Sequence, residues 1–362
     1  MRAILFLSIA LTAAALLGAA RRPGSATLAA TAPGMPHAAP IARAGDRVAD
    51  NAACVKCHDD IADEWSTSLH KQAHTDPAYQ RALALEPLSF CRGCHAPEAD
   101  ASRDAPKPLG ELGVACITCH VPDDAAHGAT LGAPGSVRSA GKAPHAVLRS
   151  AAFATKDACA NCHEFSFPHG RELMQSTLSE HAATGTTAGC ASCHMPIVDG
   201  PKGRHRKHSF EVTHEMIRNA VETHASRERD HVTFTIAPRG VGHAVPTGDL
   251  FRRLVLRATV VDENGTPLET KRRYLTRHWT NVRSPGGAVV RGLSRDDRPG
   301  GSENRSTSVS FQFAASFRTK EIRWQLHYEK VEHPRSESED DVVTGGSVLL
   351  NEGQFPPRAQ PQ

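Results

Sequence analysis

Five short motifs carry the chemistry of this sequence: CVKCH, CRGCH, CITCH, CANCH and CASCH. They set Cys54 and Cys57 before His58, Cys91 and Cys94 before His95, and Cys116 and Cys119 before His120. Cys159 and Cys162 precede His163, and Cys190 and Cys193 precede His194, so all ten cysteines are used. A C-x-x-C pair alone serves half a zinc site or a redox-active dithiol, and cysteines in an exported chain make a disulfide framework by default. The histidines decide between these. With 21 histidines in 362 residues, five such followers out of five arise by chance on the order of once in a million. Zinc calls for C-x-x-C pairs that share four ligands and has no use for five adjacent imidazoles. C-x-x-C-H is the attachment signature of c-type haem. Two thiols add across the two vinyl groups of a porphyrin, so they must lie a short, fixed distance apart on one turn. The next residue then projects an imidazole to the iron as its proximal ligand.

Five covalent haems need up to five further ligands. In DEWSTSLHKQAHTDPAYQRALAL, residues 63–85, the pattern is helical and Pro77 interrupts it. His70 and His74 are spaced i, i+4, which puts both on the same side of that helix; His70 is the expected distal ligand and His74 the reserve. His145 lies between the third and fourth motifs, and His208 lies close to Phe210, which is expected to tuck it inward. His127, His169, His181, His205 and His214 fit surface residues better than ligands. Two imidazoles on one iron give low-spin haem suited to electron transfer, whereas an open sixth position admits a substrate.

The elements that position these groups fall in two parts. Aromatics make up only 5% of the chain, thin core material that five flat apolar haems would replace. Residues 48–225 are therefore expected as helices and loops wrapped around five haems, without a fold when haem is absent. From residue 226 to 353 the period changes to two: Val232, Phe234 and Ile236; Leu254, Leu256, Ala258 and Val260; Val309, Phe311 and Phe313; Ile322, Trp324, Leu326 and Tyr328. With Asn264-Gly265 as a hairpin turn, this predicts an antiparallel β-sandwich-like domain. The fold class is α+β. The loop VGHAVPTGDLFRR, residues 241–253, has no G-K-[ST] and is no phosphate loop. Its His243 reads either as a distal ligand or propionate partner, or as a structural turn residue bonded to backbone. Arg252 and Arg253 suit propionates, because guanidinium matches carboxylate geometry.

Arg2 followed by ILFLSIALTAAALLGAA, Ile4 to Ala20, reads as a cleaved secretory signal peptide over residues 1–20. Residues 21–47 and 354–362 read as a flexible linker and tail. No later stretch is apolar enough to span a membrane, so the expected location is periplasmic or extracellular. A net charge of +3 and a pI near 8.4 make no case for nucleic acid.

CVKCHDDIADEWSTSLHKQAHTDPAY, GVACITCH, CANCHEFSFPHGRELMQSTLSEH and CASCHMP resemble exported multihaem cytochromes of the cytochrome c-552/4 type, related to the haem cores of hydroxylamine oxidoreductase and pentahaem nitrite reductase. The resemblance covers roughly residues 50–215. GHAVPTGDLFRR with SRDDRPGG is similar to a β-rich extension on some of these proteins. The resemblance implies haem attachment at the ten cysteines, proximal ligation by the five histidines, and a distal role for His70 in a W-x-x-S-x-H element. It also places a histidine after the last motif, where His208 stands. One departure is His181, where the family often has tryptophan.

The expected function is electron transfer along a chain of haems between redox partner proteins, with the β domain docking a partner or neighbouring copies of the chain. The alternative is a multihaem oxidoreductase acting on a small nitrogen or sulfur compound at one open haem. Against it, the pentahaem nitrite reductases typically carry a C-x-x-C-K site, and all five sites here end in histidine. No nucleophile–base arrangement stands out, and no catalytic residue is assigned.

Overall fold

The computed structural model describes residues 45–121, 130–134, 145–166, 172–283, 287, 289–300, 305–336 and 338–357. The expected signal peptide, the linker up to residue 44, His127, His169 and the tail beyond residue 357 lie outside the described residues.

Short helices bear the motifs because the spacing demands a single helical turn. Positions i, i+3 and i+4 share one helix face, so both thiols and the imidazole of C-x-x-C-H emerge on one side. The first cysteine pair straddles the end of α1 (Arg47–Val55), and His58 immediately precedes α2 (Asp59–Ser66). After α3 (Pro77–Leu85), α4 (Ser89–His95) ends on the second motif's histidine. α5 (Lys107–Gly110) is a single turn, and α6 (Cys116–His120) is the third motif itself. Strands β1 (Thr130–Gly132) and β2 (Val147–Arg149) pair in parallel. α7 (Asp157–His163) carries the fourth motif and runs into β3 (Glu164–Ser166), which pairs with β4 (Leu173–Ser176) ahead of α8 (Thr177–Ala183). α9 (Cys190–His194) is the fifth motif, followed by the ribbon β5 (Ile197–Gly200) and β6 (Gly203–Arg206) and by α10 (His214–Asn219). Local signals set several ends: the Asp46 carboxylate accepts from Ala49 N–H, and Asp76 accepts from Tyr79 N–H beside Pro77 in the first turn of α3.

The helix expected across residues 63–85 is broken. α2 stops at Ser66, and residues 67–75 form successive turns before α3. The hydroxyls of Ser66 and Thr67 donate to the carbonyls of Asp63 and Glu64, and Ser68 Oγ accepts from Lys71 N–H. Such bonds compete with the helical ladder, and Pro77 disfavours helical backbone at the residue before it. His70 and His74 therefore do not share a helix face.

The apolar cluster of this first half is small among the described residues: Trp65, Leu112, Ala115 and Ile117. A buried polar knot supplements it. Arg47 Nε donates to Glu98 at 2.8 Å, Thr118 Oγ1 donates to the same carboxylate at 2.6 Å, and Asn51 accepts from Cys116 N–H. It ties α1 to α6, and so the first motif to the third.

The second half is a sandwich. β7 (Val221–Glu228), β8 (His231–Pro238), β9 (Arg252–Val261), β10 (Pro267–Leu275), β11 (Arg277–Arg283), β12 (Val289–Asp296), β13 (Thr307–Gln312), β14 (Glu321–Pro334) and β15 (Val342–Phe355) follow in order. One sheet runs β10-β9-β14-β15, the other β13-β8-β7, and β11-β12 is a separate ribbon. All pairings in these sheets are antiparallel. The alternating residues read from the sequence close the core between the two sheets. Phe234, Ile236, Leu254, Leu256, Ile322 and Leu326 are wholly buried, and only Tyr328 packs at the cluster's edge. The hairpin between β9 and β10 turns at Asn264-Gly265, with Asp262 accepting from the N–H groups of Asn264 and Thr266.

Two boundaries differ from the sequence reading. The first sandwich strand starts at Val221 rather than 226. Its pattern is hidden because a core-facing position holds Arg227, whose guanidinium satisfies the carbonyls of Phe317, Arg318 and Lys320. At the other end β15 continues to Phe355, paired with Ile322. Among the described residues no helix is long and apolar enough to cross a membrane.

Candidate functional site

All ten cysteines are free thiols, and no group of three metal-binding side chains stands together among the described residues. Between motifs the thiols lie close enough to shift one another's titration: Cys94 pushes Cys162 up, and Cys190 pushes Cys159 up.

Three of the five motif histidines face other imidazoles. His120 and His208 stand with ring centroids 6.2 Å apart, His70 and His163 at 6.3 Å, and His194 and His243 at 6.3 Å. An iron–nitrogen bond of about 2.0 Å and about 1.1 Å from nitrogen to ring centre put two imidazoles on one iron with centroids about 6.2 Å apart. The three pairs have the spacing of axial ligands on opposite faces of a haem.

Hydrogen bonds orient the rings. Nδ1 of His95, His120, His208 and His243 lies 2.6–2.8 Å from the carbonyls of Ala73, Leu131, Arg206 and Ala244 respectively. A carbonyl only accepts, so Nδ1 carries the proton and Nε2 keeps its lone pair, as a metal ligand requires. Burial pushes His70 and His208 down to about 4, each helped by the facing histidine, His163 or His120. Both are neutral near pH 7. Each is half-buried and lines the same large cavity.

His70 is held by the backbone around it. Trp65 Nε1 donates to the Val114 carbonyl at 2.8 Å, and Val114 N–H donates to the His70 carbonyl at 2.8 Å. Gly113 lies in the left-handed region at φ 57, where a Cβ would come within 2.4 Å of the His70 carbonyl oxygen. Phe210 stands edge-on to His70 at 4.2 Å and to His208 at 5.9 Å, wedged between two sites from a backbone at φ 48. Glu64 accepts from His208 N–H at 2.7 Å.

His243 arrives from the sandwich half, and its loop explains a second motif. The segment SRDDRPGG lies directly on it: Arg298 donates to the Pro246 carbonyl, Val245 N–H donates to the Pro299 carbonyl, and Gly300 packs on Ala244. From the first half of the chain, Glu180 on α8 accepts from Arg298, Thr247 and Ala244 N–H. Arg277 also donates across, to the carbonyls of Leu173 and Met174.

The structure places the other expected residues as follows. His145 is exposed, makes only a long contact to the Ala146 carbonyl, and takes no part in the three pairs. His74 packs on Gly110 and on Tyr79, ring centroids 5.7 Å apart. Arg253 is buried against Glu329 at 2.9 Å and over the Tyr274 ring, so it is committed to the sandwich; Arg252 lines the cavity. His205 is taken up by Glu64, and His181 by the Ala188 carbonyl. His214 is exposed. One neighbour went unnoticed in the sequence: Tyr79 stacks on His95 at 3.8 Å and 8°. No spacing signal marks it.

The histidine pairs and the thiols line one connected cavity of about 3910 Å³, several times the roughly 300–1,000 Å³ of a single-ligand site. Large apolar side chains that the fold leaves uncovered face it, among them Leu69, Ile197, Val212, Met216 and Phe251. Tyr79 Oη and Gln175 Oε1 end there buried without partners. Large flat apolar groups with polar edges are what such walls accept, and covalent haem fits them.

Comparison with known proteins agrees. Residues 53–121 match the family model described as cytochrome c554 and c-prime. The fold is similar to that of a penta-heme cytochrome c552 from Thermochromatium tepidum, with a TM-score of 0.61 and 19% identity over 84% of this chain and 97% of that one. No curated protein matches. The family match is thus to c-type cytochromes over residues 53–121, and the likeness to the penta-heme cytochrome is one of fold.

Proposed function

We propose that the chain is an exported pentahaem cytochrome that relays electrons between redox partner proteins through haems at all five C-x-x-C-H motifs. The observation that carries this reading is the set of three imidazole pairs at 6.2–6.3 Å. In it the ten cysteines hold haem, and His58, His95, His120, His163 and His194 are proximal ligands. His208, His70 and His243 complete the irons of His120, His163 and His194. Iron with two imidazoles has no free position and passes electrons without binding substrate; the chain's own part is to fix spacing, ligation and burial. The nearness of Cys162 to Cys94, and of Cys159 to Cys190, supports a relay with the fourth site between the second and fifth. A cavity of about 3910 Å³ shared among five groups leaves about 780 Å³ each, within the usual range for one ligand. Residues 1–20 supply the export signal, which places the protein in the periplasm or outside the cell.

A second reading, an oxidoreductase with one open haem, is favoured by one observation. The ring against His95 is Tyr79, whose hydroxyl is buried without a partner.

Mass spectrometry of the denatured protein and carbon monoxide titration of the reduced form test both readings. Five haem masses on the chain and little spectral change support the relay. One haem in five binding carbon monoxide favours the oxidoreductase. A colourless folded protein, or one loaded with zinc, overturns both.

A further inference from the structure

We infer that Arg298, through its ion pair with Glu180, is the positioning residue that makes the fifth haem site six-coordinate, so that the sandwich half governs the coordination of that iron. This rests on the reading of His194 and His243 as ligands of one iron.

The two imidazoles come from different halves of the chain. His194 ends α9, while His243 sits in a loop entering the sandwich. Nothing in the loop's own sequence sets its distance from α9. That distance is set by the contacts on residues 243–247, and these converge on one pair. Glu180, on the helix preceding α9, takes Arg298 Nη2 at 2.7 Å, Thr247 Oγ1 at 2.5 Å and Ala244 N–H at 3.3 Å. Arg298 Nη1 reaches the Pro246 carbonyl at 2.7 Å, and Asp296 fixes the same guanidinium from behind at 2.7 and 2.9 Å. Both members are buried, Arg298 at 4% exposed and Glu180 at 8%. Gly300, at φ 91, closes the other side: a Cβ there would stand 2.7 Å from the His243 carbonyl oxygen and 2.9 Å from Ala244 Cα.

The loop is thus clamped between α8 and residues 296–300, and the clamp holds His243 6.3 Å from His194. The other two pairs have no such dependence, because His70 and His208 both belong to the haem half. The fifth site alone among these three reports whether the sandwich is docked. Removing the arginine takes away the charge paired directly with buried Glu180, which buried pairs tolerate poorly, and frees the loop to withdraw the imidazole.

The test uses the full haem-loaded protein and carries His243→Ala, Arg298→Met, the double variant and the milder Thr247→Val. The readouts are the high-spin ferric signal at low temperature and the carbon monoxide change of the reduced form, with total haem counted by the pyridine haemochrome. His243→Ala opens one haem beyond those already open in the parent. Arg298→Met opens the same single haem without loss of haem content, the double variant opens no more, and Thr247→Val opens it in part. Arg298→Met with an unchanged spectrum, beside a positive His243→Ala, overturns the positioning role and leaves the ligation standing. His243→Ala without effect overturns the ligation itself. Where Arg298→Met fails to load haem, Thr247→Val decides, and its unchanged spectrum counts against the proposal.

Discussion

His70, in the turns after α2, and His163, at the end of α7, face each other at 6.3 Å although they are far apart in sequence. What holds His70 in place is a backbone clasp, in which Val114 N–H bonds to its carbonyl and Gly113 packs against it in a left-handed turn. The clasp belongs to the loop before the third motif. One loop therefore orders the third site and supplies the support for the fourth.

Gly113→Ala is expected to disturb the fourth site although residue 113 is no ligand. The left-handed conformation alone costs roughly 1–2 kcal/mol with a side chain, and the new Cβ meets two carbonyl oxygens at 2.4 Å. A rise in the high-spin ferric signal, equal to one haem, checks this in electron paramagnetic resonance. An unchanged signal would show that His70 keeps its place without the clasp.

His208→Ala and His145→Ala should part company. The first removes an imidazole facing His120, and the second removes an exposed side chain outside every pair. Carbon monoxide should bind one more haem in the reduced His208→Ala protein than in the parent, and none more in His145→Ala. Equal behaviour of the two variants would count against the pairing.

Phe234→Ala tests the sandwich core. Phe234 is wholly buried, with edge-on contacts to Phe311 and Trp324 at 5.9 and 5.5 Å. Truncation of such a residue costs about 3–5 kcal/mol. A urea titration followed by circular dichroism should show the strand signal lost earlier in the variant; a midpoint shared with the parent would contradict a packed core.

Acid should loosen the clamp at Glu180. Burial by itself would raise this carboxyl, but the Arg298 charge and the hydroxyls of Thr247 and Ser176 outweigh it, and the net shift is downward. Asp296 and Arg277 complete the charged surroundings of the pair. A depressed carboxyl binds fewer protons folded than unfolded, so stability increases with pH across the window between the two values. The contribution is full above the unfolded value of about 4.3 and disappears as the pH falls through the folded one. Urea midpoints measured below pH 5 should fall more steeply in the parent than in Glu180→Gln, and parallel curves would remove Glu180 from the account.

Much of the sandwich was legible because strand alternation is a local property. Val232, Phe234 and Ile236 announce a buried face by period two, and the core confirms each of them. The reading stopped short where one residue broke the code: Arg227 occupies a core-facing position yet is satisfied by three carbonyls, so the start of the first strand was read with the segment before it. The helix over residues 63–85 failed for a similar reason. Its apolar period was sound, but hydroxyl-to-backbone bonds at residues 66–68 and the turn before Pro77 divided it.

By itself the sequence determined that two thiols and an imidazole share one helical turn in each motif, because they are neighbours in the chain as well as in space. It could not determine which remote imidazole meets which motif. His74 and His145 were as plausible by composition as His208, and what sets His70, His208 and His243 opposite motif histidines is the clasp at Val114, the wedge of Phe210 and the clamp of Glu180 on Arg298. Those are contacts between segments far apart in sequence, and only folding brings them within the few ångströms at which an axial ligand pair is made or lost.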